Sequence, residues 1–447
     1  MFRKFISALF SFKGLYVAFV IAVLFYGQVR LLFNLTPRHI AIATMMITCV
    51  MQGVPFPFGR IIRIYFVFIF CFILSATITD FLSDVLITYY IAAFVGIWAT
   101  KILITKYNAG KLFLFTIIAL GLLNAIVTIG QTLGLSFTDQ LISSLYLKLP
   151  EGYLDQIEKD DSEDLALLLT RPGLFNSAVY NGYFHMTTGV ASLMLIARKF
   201  QPLRLVPWIV ITLGCICVQE RAPIAVLTVL SALAFYKSIS FKKYIYYLFI
   251  IFFVFCVHFI TGFIASALPV TTFDTTMVRP NSIAIIDDDE SATGMQTVYS
   301  RMSSITKESR LANIGLDDTG RNEIYDNTTD YLMDHPFIGG YHRLKRIYGH
   351  APHNLFLNAF IYGGLVGGFA ILLILFWQSK LLWRVLRRKI IEINSVCYFA
   401  GLSYLAFTLN SLLHNKSIVT GDEFLWMLWA AFFYEYYKKN RQLRSKN

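Results

Sequence analysis

Long apolar runs recur along the chain, separated by short polar breaks. A helix rises about 1.5 Å per residue, so a hydrocarbon core of about 30 Å needs roughly 20 apolar residues per crossing. On that measure the pattern predicts twelve spans, near residues 14–29, 40–55, 61–79, 85–100, 112–130, 184–197, 205–218, 223–236, 244–268, 354–376, 394–413 and 424–437. The shorter runs need their polar flanks to complete a crossing. Two long polar stretches interrupt the series. The expected architecture is therefore an all-α polytopic membrane protein. Helices 1–5 fall within 1–130 and a first long loop in 131–183. Helices 6–9 follow in 184–268, then a larger, partly helical loop in 269–353. Helices 10–12 and a basic tail occupy 354–447. In the larger loop, GRNEIYDNTTDYLMD places Tyr325, Leu332 and Met333 on one helical face, and HPFIGG ends that helix. In the first loop, DLALLLTRPG reads as a short interfacial helix stopped by Pro-Gly.

Composition supports the membrane reading. Of 447 residues, 56% are hydrophobic, above the roughly half that is usual for soluble domains, and 40 are Phe. The net charge of +12 does not point to nucleic acid, because the cations fall in every second inter-span segment. That alternation is the positive-inside pattern, and it places both termini in the cytoplasm and both long loops on the opposite side. The six cysteines lie in apolar runs and form neither a disulfide framework nor a metal motif. The start, MFRKFISALFSFKGLYVAFVIAVLF, lacks a small-residue cleavage site and reads as a retained first span.

Ionisable residues close to the outer face are costly there and so are candidates for chemistry. Arg221 follows one apolar run in CVQERAP and precedes another; its structural alternative is an interfacial arginine paired with Glu220. Arg171 opens RPGLFNSAVYNG, either as an anion ligand or as a positioning loop residue. Arg321 opens the helix of the larger loop, where a helix N-terminus and a guanidinium together suit an anion. Its alternative is a salt bridge to Glu323 or Asp317. His353 stands at the lip of a span, where an imidazole can take a proton near neutral pH. His335, His342 and His350 lie nearby, but their spacing matches no zinc motif, so no metal is expected. His185 and His258, within spans, read as core histidines. No GxxxxGKS or GxxxxGKT loop is present, and no GxGxxG, which argues against a nucleotide donor. Arginines and a histidine on one face instead suit an anionic, membrane-borne substrate such as a lipid-linked pyrophosphate.

These residues carry a resemblance. His353-Asn354, nine residues, then Gly364-x-x-Gly367 resembles the signature of the bacterial O-antigen ligases and the wider superfamily containing the Wzy-type O-antigen polymerases. GRNEIYDNTTDYLMDHPFIGG is similar to the family's Arg…Trp…Pro…Gly stretch, with Tyr325 at the tryptophan position. CVQERAP resembles its Ser-Arg turn, with Glu220 departing from the usual small residue, and RPGLFNSAVYNG resembles its Arg…Gly segment. The motifs cover about 165–375, and the layout covers the whole chain. The resemblance implies an enzyme of the inner membrane that moves a glycan from undecaprenyl pyrophosphate to an acceptor hydroxyl at the periplasmic face, with no metal or other cofactor. Carried over, Arg221 and Arg321 hold the pyrophosphate and His353 is the base, with Asn354 beside it; Arg171 and Asp422 are further substrate-binding candidates. A ligase would use lipid A–core as acceptor, and a polymerase a second glycan repeat. The His-x9-Gly-x-x-Gly match favours ligase, while Arg171-x10-Gly182 resembles a polymerase motif. A lipid-linked sugar transporter is the remote alternative, disfavoured by the few charges within spans and by the large outer loop.

Overall fold

A computed structural model gives the fold. It describes residues 10–25, 36–79, 84–132, 173–175, 178–197, 202–218, 221–238, 321–348, 352, 354–387, 395–412 and 417–444. Among these the secondary structure is helical, without a strand: α1 Phe12–Phe25, α2 Pro37–Met51, α3 Arg60–Ile78, α4 Asp84–Thr105, α5 Gly110–Thr132, α6 Ala178–Ala197, α7 Pro202–Val218, α8 Arg221–Ser238, α9 Arg321–Asp334, α10 Tyr341–Tyr348, α11 Leu355–Arg387, α12 Val396–Ser411 and α13 Glu423–Arg444. Helices occupy every predicted span that falls among the described residues; the one expected at 244–268 lies outside them. Among the described residues, four stretches are long and apolar enough to cross a membrane: Arg60–Ile78, Ile87–Thr105, Gly110–Gln131 and Leu355–Arg387. The interfacial helix expected in DLALLLTRPG also falls outside the described residues.

The chain divides into two compact units. One comprises residues 1–23, 41–114 and 317–447, and the other residues 24–40 and 115–316. In the first unit α3 and α11 pack antiparallel: Phe72 meets Tyr362, Phe68 lies against Gly363 and Gly367, and Arg60 reaches Trp377. The absent side chains of Gly363 and Gly367 let the helices approach closely; a Cβ at either would stand 3.1–3.3 Å from the Phe68 ring. α13 packs on α4 and α12, with Gly96 against Met427 and Gly401 against Phe432. In the second unit α6 packs against α7 and α8, and Trp208 Nε1 donates to Ser231 Oγ at 3.3 Å across α7 and α8.

α9 forms where it was expected and ends at HPFIGG, and the residues it buries are specific. Its inward residues are Thr328 and Tyr331, 1% and 3% exposed, while Met333 is 77% exposed. The reason is local chemistry. Thr328 folds its hydroxyl onto the Ile324 carbonyl at 2.6 Å, and Tyr331 buries its ring with Leu344 and Ile361, so residues with polar names form the core face.

Candidate functional site

The segment that follows α9, HPFIGG, is built into α11. At Gly364 the helix breaks, with φ +61° and ψ −167°, a region that residues bearing a Cβ essentially do not enter. An unbroken helix would pair the Leu365 N–H with the Ile361 carbonyl. Here each group finds a partner in HPFIGG: Leu365 N–H donates to the Pro336 carbonyl at 2.8 Å, and Gly340 N–H donates to the Ile361 carbonyl at 2.7 Å. The two backbones touch. A Cβ on Gly364 would collide with the Phe337 carbonyl, and one on Gly339 with the Ile361 carbonyl. The kink thus opens the helical ladder at Gly364, and the loop supplies partners to both the Leu365 N–H and the Ile361 carbonyl. Gly363 and Gly367 serve the packing on α3, while Gly364 is the break into which HPFIGG docks.

Side chains reinforce the joint. Tyr331, Leu344 and Ile361 bury together, with Leu332, Tyr341 and Tyr348 packed around them. Tyr341 stacks on Tyr362 at 4.4 Å between centroids. His335 stacks on Tyr331 at 4.8 Å with nearly parallel rings. Burial pushes the Tyr331 hydroxyl above its ordinary pKa, with Arg343 opposing the shift, so it is a neutral donor at physiological pH. Tyr331 Oη and His335 Nδ1 are buried without a hydrogen-bond partner among the described residues. Neither residue was singled out for a role from the sequence alone. The only signal for them is their place in the five residues, Tyr331 to His335, that end α9 and begin its break.

The expected site residues fall as follows. Arg321 is the first helical residue of α9, whose far end is the docked segment, and α9 packs on α11. Asn354 caps α11: its Oδ1 accepts the N–H groups of Phe356 at 2.9 Å and Leu357 at 3.2 Å. The structure therefore holds the helix begun by Arg321 against the helix begun beside Asn354. His353 and Arg171 lie outside the described residues. Arg221 is the first residue of α8, in the second unit. Asp422 is 5% exposed and caps α13, its Oδ1 accepting the Leu425 N–H at 3.0 Å. The turn before it is pinned by two buried phenols, Tyr65 Oη donating to the Ile418 carbonyl at 2.9 Å and Tyr90 Oη to that of Val419 at 2.7 Å. No group of three His, Cys, Asp or Glu side chains converges among the described residues.

A second polar centre lies wholly in the other unit, between α5 and α6. Asn124 Nδ2 donates to Asn181 Oδ1 at 2.6 Å and sits 3.2 Å from His185 Nε2; Asn181 Nδ2 donates to Thr128 Oγ1 at 3.0 Å. Asn124 Oδ1 accepts the Leu174 N–H at 2.7 Å, and Gln131 Oε1 accepts that of Gly173 at 3.0 Å. Asn124, Thr128, Asn181 and His185 are fully buried, Gln131 is half-buried, and the network fixes the Gly173–Phe175 turn two residues after Arg171. It satisfies His185 at Nε2, in keeping with a core histidine. Comparison with protein-family models, curated proteins and solved structures finds no match.

Proposed function

We propose that the protein transfers a glycan from an undecaprenyl-pyrophosphate donor to an acceptor hydroxyl at the periplasmic face of a bacterial inner membrane. As an O-antigen ligase it attaches the chain to lipid A–core. The reading rests on the resemblance set out above, and one observation supports it most. Two of the stretches that carry the resemblance, HPFIGG and the Gly364 turn, are locked together by reciprocal backbone hydrogen bonds. In the proposed twelve-span arrangement, with both termini cytoplasmic, α11 crosses the membrane below the kink and its upper turns stand at the periplasmic surface.

The chemistry follows from the donor. The acceptor oxygen attacks the anomeric carbon, the bond from that carbon to the pyrophosphate oxygen breaks, and the electron pair leaves with the pyrophosphate. His353 takes the hydroxyl proton. Arg321 and Arg221 balance the charge developing on the departing diphosphate. Arg171 adds a further cation near the donor. Asn354 sets the first turn of α11 and so the direction in which the residue before it enters the site.

The Arg171-x10-Gly182 spacing favours a second reading, a Wzy-type polymerase that joins repeat units, because the buried Asn124 network holds the turn just after Arg171. A deletion strain separates the two. Lipid-linked long chains left unattached to core identify a ligase, and core capped with single repeats identifies a polymerase. An unchanged glycan profile refutes both.

A further inference from the structure

At the opposite end of the α3–α11 pair from the kink, two cations from different helices share one indole. Arg60 Cζ lies 5.0 Å from the centre of the Trp377 ring, and Lys380 Nζ lies 5.4 Å from that ring and 5.9 Å from Phe376. Arg60 opens α3, so a fixed positive charge stands on the positive end of a helix dipole, where cations are unfavourable. Gly59, the residue before it, offers no side-chain cap to the first-turn N–H groups. Arg63, Arg384 and Arg387 are exposed on the same two helices. Among the described residues no carboxylate pairs with any of these cations; the ion pair found, Lys438 with Glu435, is on α13.

Like charges are thus gathered beside amide donors that no side chain caps, with no counter-ion among the described residues, which is the electrostatic form of an anion site. Its surroundings select the anion. Trp383 is 64% exposed, and Phe376, Leu373 and Phe369 continue outward along α11, a stripe that suits acyl chains. We infer that Arg60, Lys380 and the first turn of α3 bind the headgroup phosphate of an anionic phospholipid, with Trp377 as the platform between the two cations. The inference is independent of the proposed reaction. A bound lipid neutralises the repulsion between Arg60 and Lys380 and staples the start of α3 to the end of α11.

The test uses the purified full-length protein exchanged from vesicles of phosphatidylglycerol mixed with phosphatidylcholine, with retained lipids counted by native mass spectrometry. The wild type retains phosphatidylglycerol in preference. One near-surface cation contributes roughly a fivefold preference for anionic lipid, so Arg60→Ala with Lys380→Ala lowers it on the order of ten- to thirtyfold. Arg60→Lys with Lys380→Arg keeps the charges and the preference, as does Arg441→Ala on α13; monodispersity on size exclusion shows that each variant is folded. Retention by the double alanine variant equal to the wild type overturns the inference. Displacement of the lipid by excess inorganic phosphate also overturns it, by marking a site for free anions.

Discussion

Replacing Gly364 with alanine tests the joint between the large loop and α11 at its narrowest point. Two outcomes are open to the variant chain. It can keep the native backbone, at about 1–3 kcal/mol of conformational strain plus a clash with the Phe337 carbonyl. Alternatively it can straighten α11, regaining the Leu365–Ile361 bond and losing the two bonds to Pro336 and Gly340. Straightening then forfeits both bonds to the loop, each worth about 0.5–1.5 kcal/mol, and part of the burial of Tyr331, Leu344 and Ile361. Either way docking weakens by about 2–4 kcal/mol, a shift of roughly thirty- to several-hundredfold in the opening equilibrium at 1.4 kcal/mol per tenfold. Hydrogen exchange at the Gly340 and Leu365 amides reads that shift directly, because both protons are held only by the joint. The expected result is faster exchange at these two amides, with those of α12 and α13 unchanged, and reduced glycan transfer. Wild-type protection at both amides in the variant would refute the reasoning.

Further outcomes follow from the same geometry. His353→Ala and Arg321→Ala abolish transfer at unchanged membrane levels, checked by immunoblot beside a glycan gel; full transfer by either variant removes its assigned role. EDTA leaves transfer by the purified protein intact, and a loss restored by a divalent cation would contradict the metal-free reading. Asn124→Ala strips partners from the Leu174 amide and the Asn181 carbonyl oxygen and lowers stability by about 2–4 kcal/mol, seen as a lower thermal midpoint in detergent. Asn354→Ala costs about 1 kcal/mol of cap energy, which Asn354→Asp restores.

The apolar helices were legible in approximate place, because a continuous apolar run favours a helix and each such run among the described residues holds one; α10, YHRLKRIY, carries no such run and was not expected. α11 runs on to Arg387, beyond the expected 376, because QSKLLWRVLR keeps a helical face after hydrophobicity alone has faded. The kink was not legible. Gly363, Gly364 and Gly367 look alike in sequence, and what makes Gly364 the break is a carbonyl at Phe337, far upstream. The helix α9 was legible from its spacing, but the residues it buries were not, because Thr328 counts as polar and Met333 as apolar, whereas Thr328 is buried and Met333 exposed. The Asn124 centre had a signal that an apolar period conceals: Asn124, Thr128 and Gln131 on α5, and Asn181, His185 and Thr188 on α6, both follow an i, i+4, i+7 rhythm that lines polar groups along one stripe. The roles of His353 and the arginines come from motif resemblance, and their test is chemical.

The most direct measurement is transfer itself. Purified protein in proteoliposomes is given a defined undecaprenyl-pyrophosphate-linked glycan together with either core lipid or a second repeat unit. The account predicts a lengthened acceptor and released undecaprenyl pyrophosphate in equal amounts, with core lipid as the preferred acceptor, and neither product from His353→Ala. Intact donor with both acceptors, in protein shown to be folded, would contradict it.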